Sequence, residues 1–167
     1  MSGICFKMPP LTKVDAFQDW ASYLDYLYNL YMDDFIYNNV YFRGVPVKTF
    51  TNLEYNGKQQ TFNHITTEGS RDRLYNYLRC ERYKWIKAMI EEKACENCED
   101  LAIWPEVRRK KHNILIWCRK TNFVVVLEKR KTDYYLITAY CVTYPNKERD
   151  LRMSYNRHRI KNQSRLP

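Results

Sequence analysis

The sequence predicts an α+β fold, with N-terminal helices packed against a small central antiparallel β-sheet. Three observations carry this expectation. Three runs read as strands, Asn113–Cys118, Phe123–Glu128 and Tyr134–Val142. They are rich in Val, Ile, Leu, Tyr, Phe, Trp and Thr, the residues that suit a pleated, half-buried surface. Only the short polar stretches Arg119–Asn122 and Lys129–Asp133 separate them, which is hairpin spacing. Upstream, two segments repeat apolar residues every three or four positions, the period of a helix face. The middle run, Phe-Val-Val-Val-Leu, is wholly apolar and belongs at the centre of the sheet, covered on both sides.

The elements follow in order. Leu11–Tyr37 predicts a helix, with Phe17, Trp20, Leu24, Leu27 and Tyr31 on one stripe and Thr12-x-x-Asp15 as a capping-box variant. Tyr23, Tyr26 and Tyr28 widen the stripe, so this helix is a packing element with a second face available to a partner. Val40–Arg43 and Val45–Lys48 predict short strands around Gly44, and Asn56-Gly57 predicts a turn. Thr61–Thr67 reads as extended or turn-like. A second helix is expected over about Ser70–Lys93, capped by Ser70, with Arg82 on its apolar side beside Leu78 and Trp85. A charge there is costly unless paired or able to reach an edge. Ala94–Lys111 reads as a loop broken at Trp104-Pro105. Pro145 ends the last strand, and residues 146–160 form a basic helix or tail.

With 167 residues, 45% of them hydrophobic, and few Gly, the chain is expected to fold as one domain with a proper core. Its parts are a Tyr-rich N-terminal helical segment (1–39), an α+β core (40–145) and a basic C-terminal helix or tail (146–167). The net charge of +9 favours an anionic partner, nucleic acid ahead of membrane, with plain solubility as the alternative. The surplus sits late: residues 147–167 hold seven Lys and Arg against two acids, whereas residues 1–40 hold two Lys against five Asp. Candidate phosphate contacts are therefore Arg108, Arg109, Lys110, Lys111, Lys131, Arg149, Arg152, Arg157, Arg159 and Lys161. No apolar run has the length of a membrane span, and the start of the chain lacks a signal-peptide pattern. Scattered Cys, two of them inside apolar strands, fit a reduced cytoplasmic protein.

The glycine-poor sequence contains no phosphate-binding loop, dinucleotide fingerprint, serine-hydrolase elbow or zinc-protease motif. Cys95-x-x-Cys98 with His112 and Cys118 has zinc-like spacing. His112 and Cys118, however, would bracket a strand and stand roughly 20 Å apart, so no metal is expected. The set that suggests chemistry is His64, Arg79, Arg82, Arg130, Thr138 and Tyr140. His64 is placed in a polar turn ahead of a helix N-terminus, where an anion is welcome. Thr138 and Tyr140, two apart on one strand, share a face. Each residue alone has an ordinary structural reading. Together they supply what metal-independent RNA cleavage needs: a group near neutral pKa to move protons, cations for the growing phosphoryl charge, and hydroxyls to orient it. No cofactor is called for.

Asn56-Gly57-Lys58, Thr61-Phe62-x-His64-Ile65, Arg79-Cys80-Glu81-Arg82-x-x-Trp85-Ile86, Val124-Val125-Val126-Leu127-x-x-Arg130 and Leu136-Ile137-Thr138-Ala139-Tyr140 together resemble the phage- and toxin-associated barnase–EndoU–colicin E5/D–RelE-like nucleases. The resemblance spans roughly Val40 to Tyr155. It implies helices followed by a four-stranded antiparallel sheet, RNA cleavage at the sheet surface, and catalytic roles for His64, Arg79, Arg82, Arg130, Thr138 and Tyr140. Three functions stay open: a metal-independent endoribonuclease acting as a toxin or phage-conflict effector, a non-catalytic RNA-binding module, and a protein-interaction module docking through the Tyr-rich helix. The expected partners are RNA and an inhibitor or antitoxin-like protein.

Overall fold

A computed structural model of the chain describes residues 8–92 and 99–165. In order the elements are α1 (Trp20–Tyr31), β1 (Val40–Phe42), β2 (Val45–Lys48), α2 (Gln60–Thr66), β3 (Thr67–Glu68), β4 (Leu74–Tyr75), α3 (Tyr77–Glu81), α4 (Tyr83–Ile90), β5 (Leu101–Arg108), β6 (Lys111–Cys118), β7 (Phe123–Lys129), β8 (Tyr134–Cys141) and α5 (Pro145–Gln163). The fold is mixed α+β. Strands β1-β2-β8-β7-β6-β5 form one six-stranded sheet, and β3 and β4 a separate small ribbon. The three strands expected from the sequence are β6, β7 and β8, and they are antiparallel neighbours. The sheet as a whole is not purely antiparallel, because β2 runs parallel to β8 at Val47–Tyr134 and Lys48–Tyr135.

Period-two alternation divides the core between the two faces of the sheet. Ile116, Val125, Leu127 and Leu136 face the N-terminal helices, where they meet Leu27, Tyr31, Phe62, Ile86 and Met89. Leu115, Trp117, Val124 and Val126 face the other way and meet Trp104 and Leu151 of α5. Strand β7 is therefore buried from Phe123 to Glu128. Each large apolar side chain so enclosed contributes about 1.5–3 kcal/mol. The Tyr residues of the first helix belong to this core: Tyr23 donates to the Thr12 carbonyl at 2.7 Å and Tyr31 to Gln59 Oε1 at 2.9 Å.

Several expectations need correction. The first helix starts at Trp20 rather than Leu11, capped by Asp19, whose Oδ1 accepts from the Ser22 amide at 2.7 Å. Thr12 does not cap it, because it lies well ahead of Trp20, where its carbonyl accepts from the Tyr23 hydroxyl and its amide donates to the Glu81 carbonyl. A π-helical turn continues from Met32 to Tyr37. Thr61–Thr67 is not extended: Gln60–Thr66 is helical. Thr66 and Thr67 return their hydroxyls to the carbonyls of Phe62 and Asn63, which compensates for β-branching. The helix expected from Ser70 begins at Tyr77, capped by Asn76. The residues before it form the β3–β4 ribbon, with Gly69 at φ +107 and no room for a Cβ beside the Asp72 carbonyl. The helix then breaks at Arg82 (φ −98, ψ 12) into α3 and α4.

The expected loop 94–111 contains strand β5. Pro105 is tolerated because β5 is an edge strand with one row of groups facing outward. Cys95 and Cys98 lie outside the described residues. Arg109 and Lys110 form the two-residue β5–β6 turn, at φ 50 and 63, the left-handed values that match strand twist. The tail is helical, and Pro145 opens it at a position where its missing N–H costs nothing. Among the described residues no helix is long and apolar enough to cross a membrane.

Candidate active site

Strand β2 is short and pairs with β8 only at Tyr134 and Tyr135. Beyond that point the edge of β8 carries no strand, and α2 and α3 pack along it instead. This places the last turn of α2 against Thr138. The Thr138 hydroxyl donates to the His64 carbonyl at 3.3 Å, and Arg79 Nη1 donates to the carbonyls of His64 (3.1 Å) and Thr67 (2.8 Å). A helix end leaves its carbonyls without intrahelical partners. Here they are satisfied by a strand hydroxyl and a guanidinium, which fixes α2, α3 and β8 at one point. His64 thus ends a helix rather than preceding one, as the sequence had suggested.

An irregularity in β8 sets the neighbouring side chains. Val126 pairs with Thr138 but Leu127 pairs with Leu136, so Ile137 is an extra residue. Thr138 and Tyr140 oppose Val126 and Val124 and share the α5 side of the sheet.

The His64 ring is half-buried, and burial is the main cause holding its pKa below the ordinary value. The charge of Arg73 adds to this, Glu54 opposes it, and Arg79 contributes in the same direction as Arg73. At neutral pH the ring is therefore an uncharged base. Burial also lowers the pKa of Arg79, against the pull of Glu68, but a guanidinium stays charged in proteins. Among the described residues its Nε and Nη2 take no acceptor. The Tyr140 hydroxyl is pushed up to about 12, by burial first, then by Glu106, with Arg108 and Arg79 acting oppositely. It remains an O–H donor, in electrostatic reach of Arg79 on one side and of Glu106 and Arg108 on the other.

Thr138 and Tyr140 also line a groove of about 740 Å³ between the sheet and α5. Its floor includes Leu115, Val126 and Ile137, and its charged walls carry Arg108, Lys147, Arg157 and Lys161 against Glu106 and Asp150. The register of α5 is fixed by a hydrogen-bond chain: Trp104 Nε1 donates to Ser154 Oγ at 3.0 Å, which donates to Glu106 Oε1 at 3.0 Å. Lys147 stands 5.6 Å from the Tyr140 ring centre.

Four of the six sequence candidates are linked here: Arg79 and Thr138 through the His64 carbonyl, and Tyr140 through the charge of Arg79. Arg82 and Arg130 are engaged with other partners, although Arg82, like Arg79, is in electrostatic reach of Cys141 beside Tyr140. Arg82 sits at the α3–α4 break, donating to the Leu78 carbonyl at 3.1 Å, paired with Glu81 at 3.7 Å and stacked over Trp85 at 5.1 Å. Trp85 packs on Phe123, on the helical side of the sheet. Arg130 is held at the other end of β8, 3.1 Å from Glu128 and 4.4 Å above the Tyr135 ring. Arg82→Ala is expected to leave any RNA-cleaving rate within about threefold. Losing the stacking and the partly exposed ion pair should lower stability by about 1 kcal/mol, read from a urea titration.

Of the expected phosphate contacts, Arg108, Arg157 and Lys161 line the groove. Arg109, Lys110 and Lys111 are exposed at the β5–β6 turn, and Lys131 is exposed after β7. Arg149 and Arg152 are exposed on α5; Arg152 pairs with Glu148 at 2.7 Å, and Arg159 lies 5.8 Å from the Tyr155 ring centre. The sequence marks Lys147 only as the start of the basic tail and does not single out Ser154 or His158, which line the same wall, nor Glu106 opposite them. The spacings of seven and four residues between Lys147, Ser154 and His158 are the available signal, once the tail is read as a helix.

Comparison with protein-family models, with curated proteins and with solved structures finds no match to this chain.

Proposed function

We propose that the protein is a metal-independent endoribonuclease of the barnase–EndoU–colicin–RelE-like kind, acting as a toxin or phage-conflict effector. One observation carries this reading. The His64 carbonyl, Arg79 and Thr138 are hydrogen-bonded together where α2 and α3 pack along β8, and Thr138 and Tyr140 line the groove beside them. Neutral His64 takes the proton of the RNA 2′-hydroxyl, which attacks the adjacent phosphorus. Arg79 and the Tyr140 O–H face the charge that grows on the phosphoryl oxygens. The P–O5′ bond breaks and the 5′-oxygen takes a proton from Tyr140, which His64 restores through solvent. The products are a 2′,3′-cyclic phosphate and a 5′-hydroxyl.

The test is incubation of the purified protein with RNA in EDTA, followed by end-group analysis. Cyclic-phosphate ends, and resistance of a strand with a 2′-deoxy sugar at the cut site, support the reading. Binding without cleavage would leave the RNA-binding module as the better description, since the groove alone suffices for that. An inhibitory protein partner would, on this reading, carry acidic side chains into the groove.

The electrostatic part has its own expected outcome. Each phosphate contact on single-stranded RNA adds about 0.7 to the slope of log affinity against log salt. Replacing Arg108, Arg157 and Lys161 together with Gln should lower the slope by about 2, measured by fluorescence anisotropy on the His64→Ala background. An unchanged slope would move the footprint to the outer faces of α5.

A further inference from the structure

The groove is not centred on the proposed cleavage point. His64 and Arg79 lie beyond the β8 edge, whereas the groove extends under α5 across β7 and β6 to Glu106 and Arg108 of β5. From β8 to β5 are three strand spacings, about 14 Å. Cations mark that path: Lys147 beside Tyr140 at the near end, then Arg157, Lys161 and Arg108 at the far end. Between them the floor is apolar, lined by Leu115 and Val126, which are themselves largely buried. Cations that track a backbone above an apolar floor suit unpaired nucleotides. The guanidinium of Arg73, whose charge also acts on His64, is used internally, donating to Thr67 Oγ1, the Thr67 carbonyl and the Gly69 carbonyl, each within 2.9 Å.

Resting on the ribonuclease reading above, we propose that the enzyme takes an extended RNA strand one-sidedly: the scissile phosphate sits at the β8 edge, and the nucleotides on one side of it lie along the groove beneath α5. A stacked strand advances about 3.4 Å per nucleotide and an extended one about twice that, so the track holds about two to four nucleotides. Binding energy from these remote nucleotides positions the reacting phosphate, so short substrates lose rate and not affinity alone. Lys147, Arg157 and Lys161 then determine substrate length without touching the reacting atoms.

The experiment uses oligodeoxynucleotides with a single ribonucleotide as the only cleavable position, flanked by zero to five nucleotides on either side. The expected result is that kcat/KM rises about tenfold or more as the first two to four nucleotides are added on one side, then levels off, while additions on the other side change it little. Arg157→Gln with Lys161→Gln should remove that gain. Both residues are exposed on α5, so folding is not at risk. Equal gains on both sides, no gain at all, or a gain that survives the double substitution would overturn the proposal while leaving the cleavage reading intact. Should the wild type cut none of the substrates, the cleavage reading itself fails. The His64→Ala protein would then report on the track alone, since anisotropy with the same oligonucleotides must still show length-dependent binding that the double substitution abolishes.

Discussion

His64→Ala is expected to lower the RNA-cleaving rate by about two to four decades, the usual cost of losing a proton-transfer group. The reason lies in how the residue is held. Two hydrogen bonds, from Thr138 and Arg79, fix the His64 carbonyl and therefore the last turn of α2. They depend on the backbone, so the alanine variant keeps them, and its fold should be nearly unchanged. A large rate loss with a small stability loss separates chemistry from structure. The pH profile supplies the second arm. Burial and the charge of Arg73 depress the ring pKa in the folded protein. The base form should persist to lower pH than for an ordinary His, whose pKa is about 6.5. The acid limb of log(kcat/KM) should therefore have its midpoint below that value and vanish in the alanine variant. Linkage gives the same sign for stability: with the folded pKa below the unfolded one, the contribution is full above the unfolded value and is lost as pH falls through the folded one. A midpoint at or above the ordinary His value, or a rate loss under tenfold, would remove His64 as the base. Arg79→Ala is a less clean probe, because it also strips donors from two carbonyls at the end of α2.

Strands β6 to β8 were legible because two signals agreed: β-branched and aromatic composition, and polar breaks of hairpin length. Burial on both faces of β7 followed from its unbroken apolar run. The helical nature of α2 was hidden by its threonines, whose low helix propensity is offset only by hydrogen bonds that a sequence does not display. Strand β5 was hidden by Pro105, which is harmless only if the strand is known to be an edge. The site was half legible. Thr138 and Tyr140 share a face as their spacing implied, and a shift in β8 registry did not undo it. Arg82 was placed by extending one helical period from residue 70 to residue 93, and the break at Arg82 itself turned that side chain into its own helix and onto Trp85. The α5 wall was missed because the helix has almost no apolar face, with Leu151 its one buried residue.

Trp104→Ala is expected to cost about 3–5 kcal/mol of stability, the range for deleting a large buried aromatic side chain. Trp104 is 1% exposed and lies between the sheet and α5. Its ring meets Trp117 at 6.3 Å and Tyr155 at 5.3 Å, and its Nε1 starts the hydrogen-bond chain through Ser154 to Glu106. Leu151 and Tyr155 are the apolar anchors of α5 on this face, and without the indole both lose their main support. A typical domain is stable by about 5–15 kcal/mol, so the substitution removes a large share. The urea midpoint should fall accordingly, with little change in slope if unfolding stays two-state. Trp104→Phe divides the effect: it keeps most of the ring packing and loses the donor, at about 1 kcal/mol for the hydrogen bond plus the lost area. RNA affinity discriminates further. If α5 is one wall of the groove, the alanine variant should bind more weakly and with a flatter salt dependence at temperatures where β6–β8 remain folded, whereas the phenylalanine variant should bind nearly as the wild type does. A stability loss under 1 kcal/mol for Trp104→Ala, or undiminished RNA binding by a variant whose α5 has come loose, would show that α5 is not held as described and that the groove is not the RNA path.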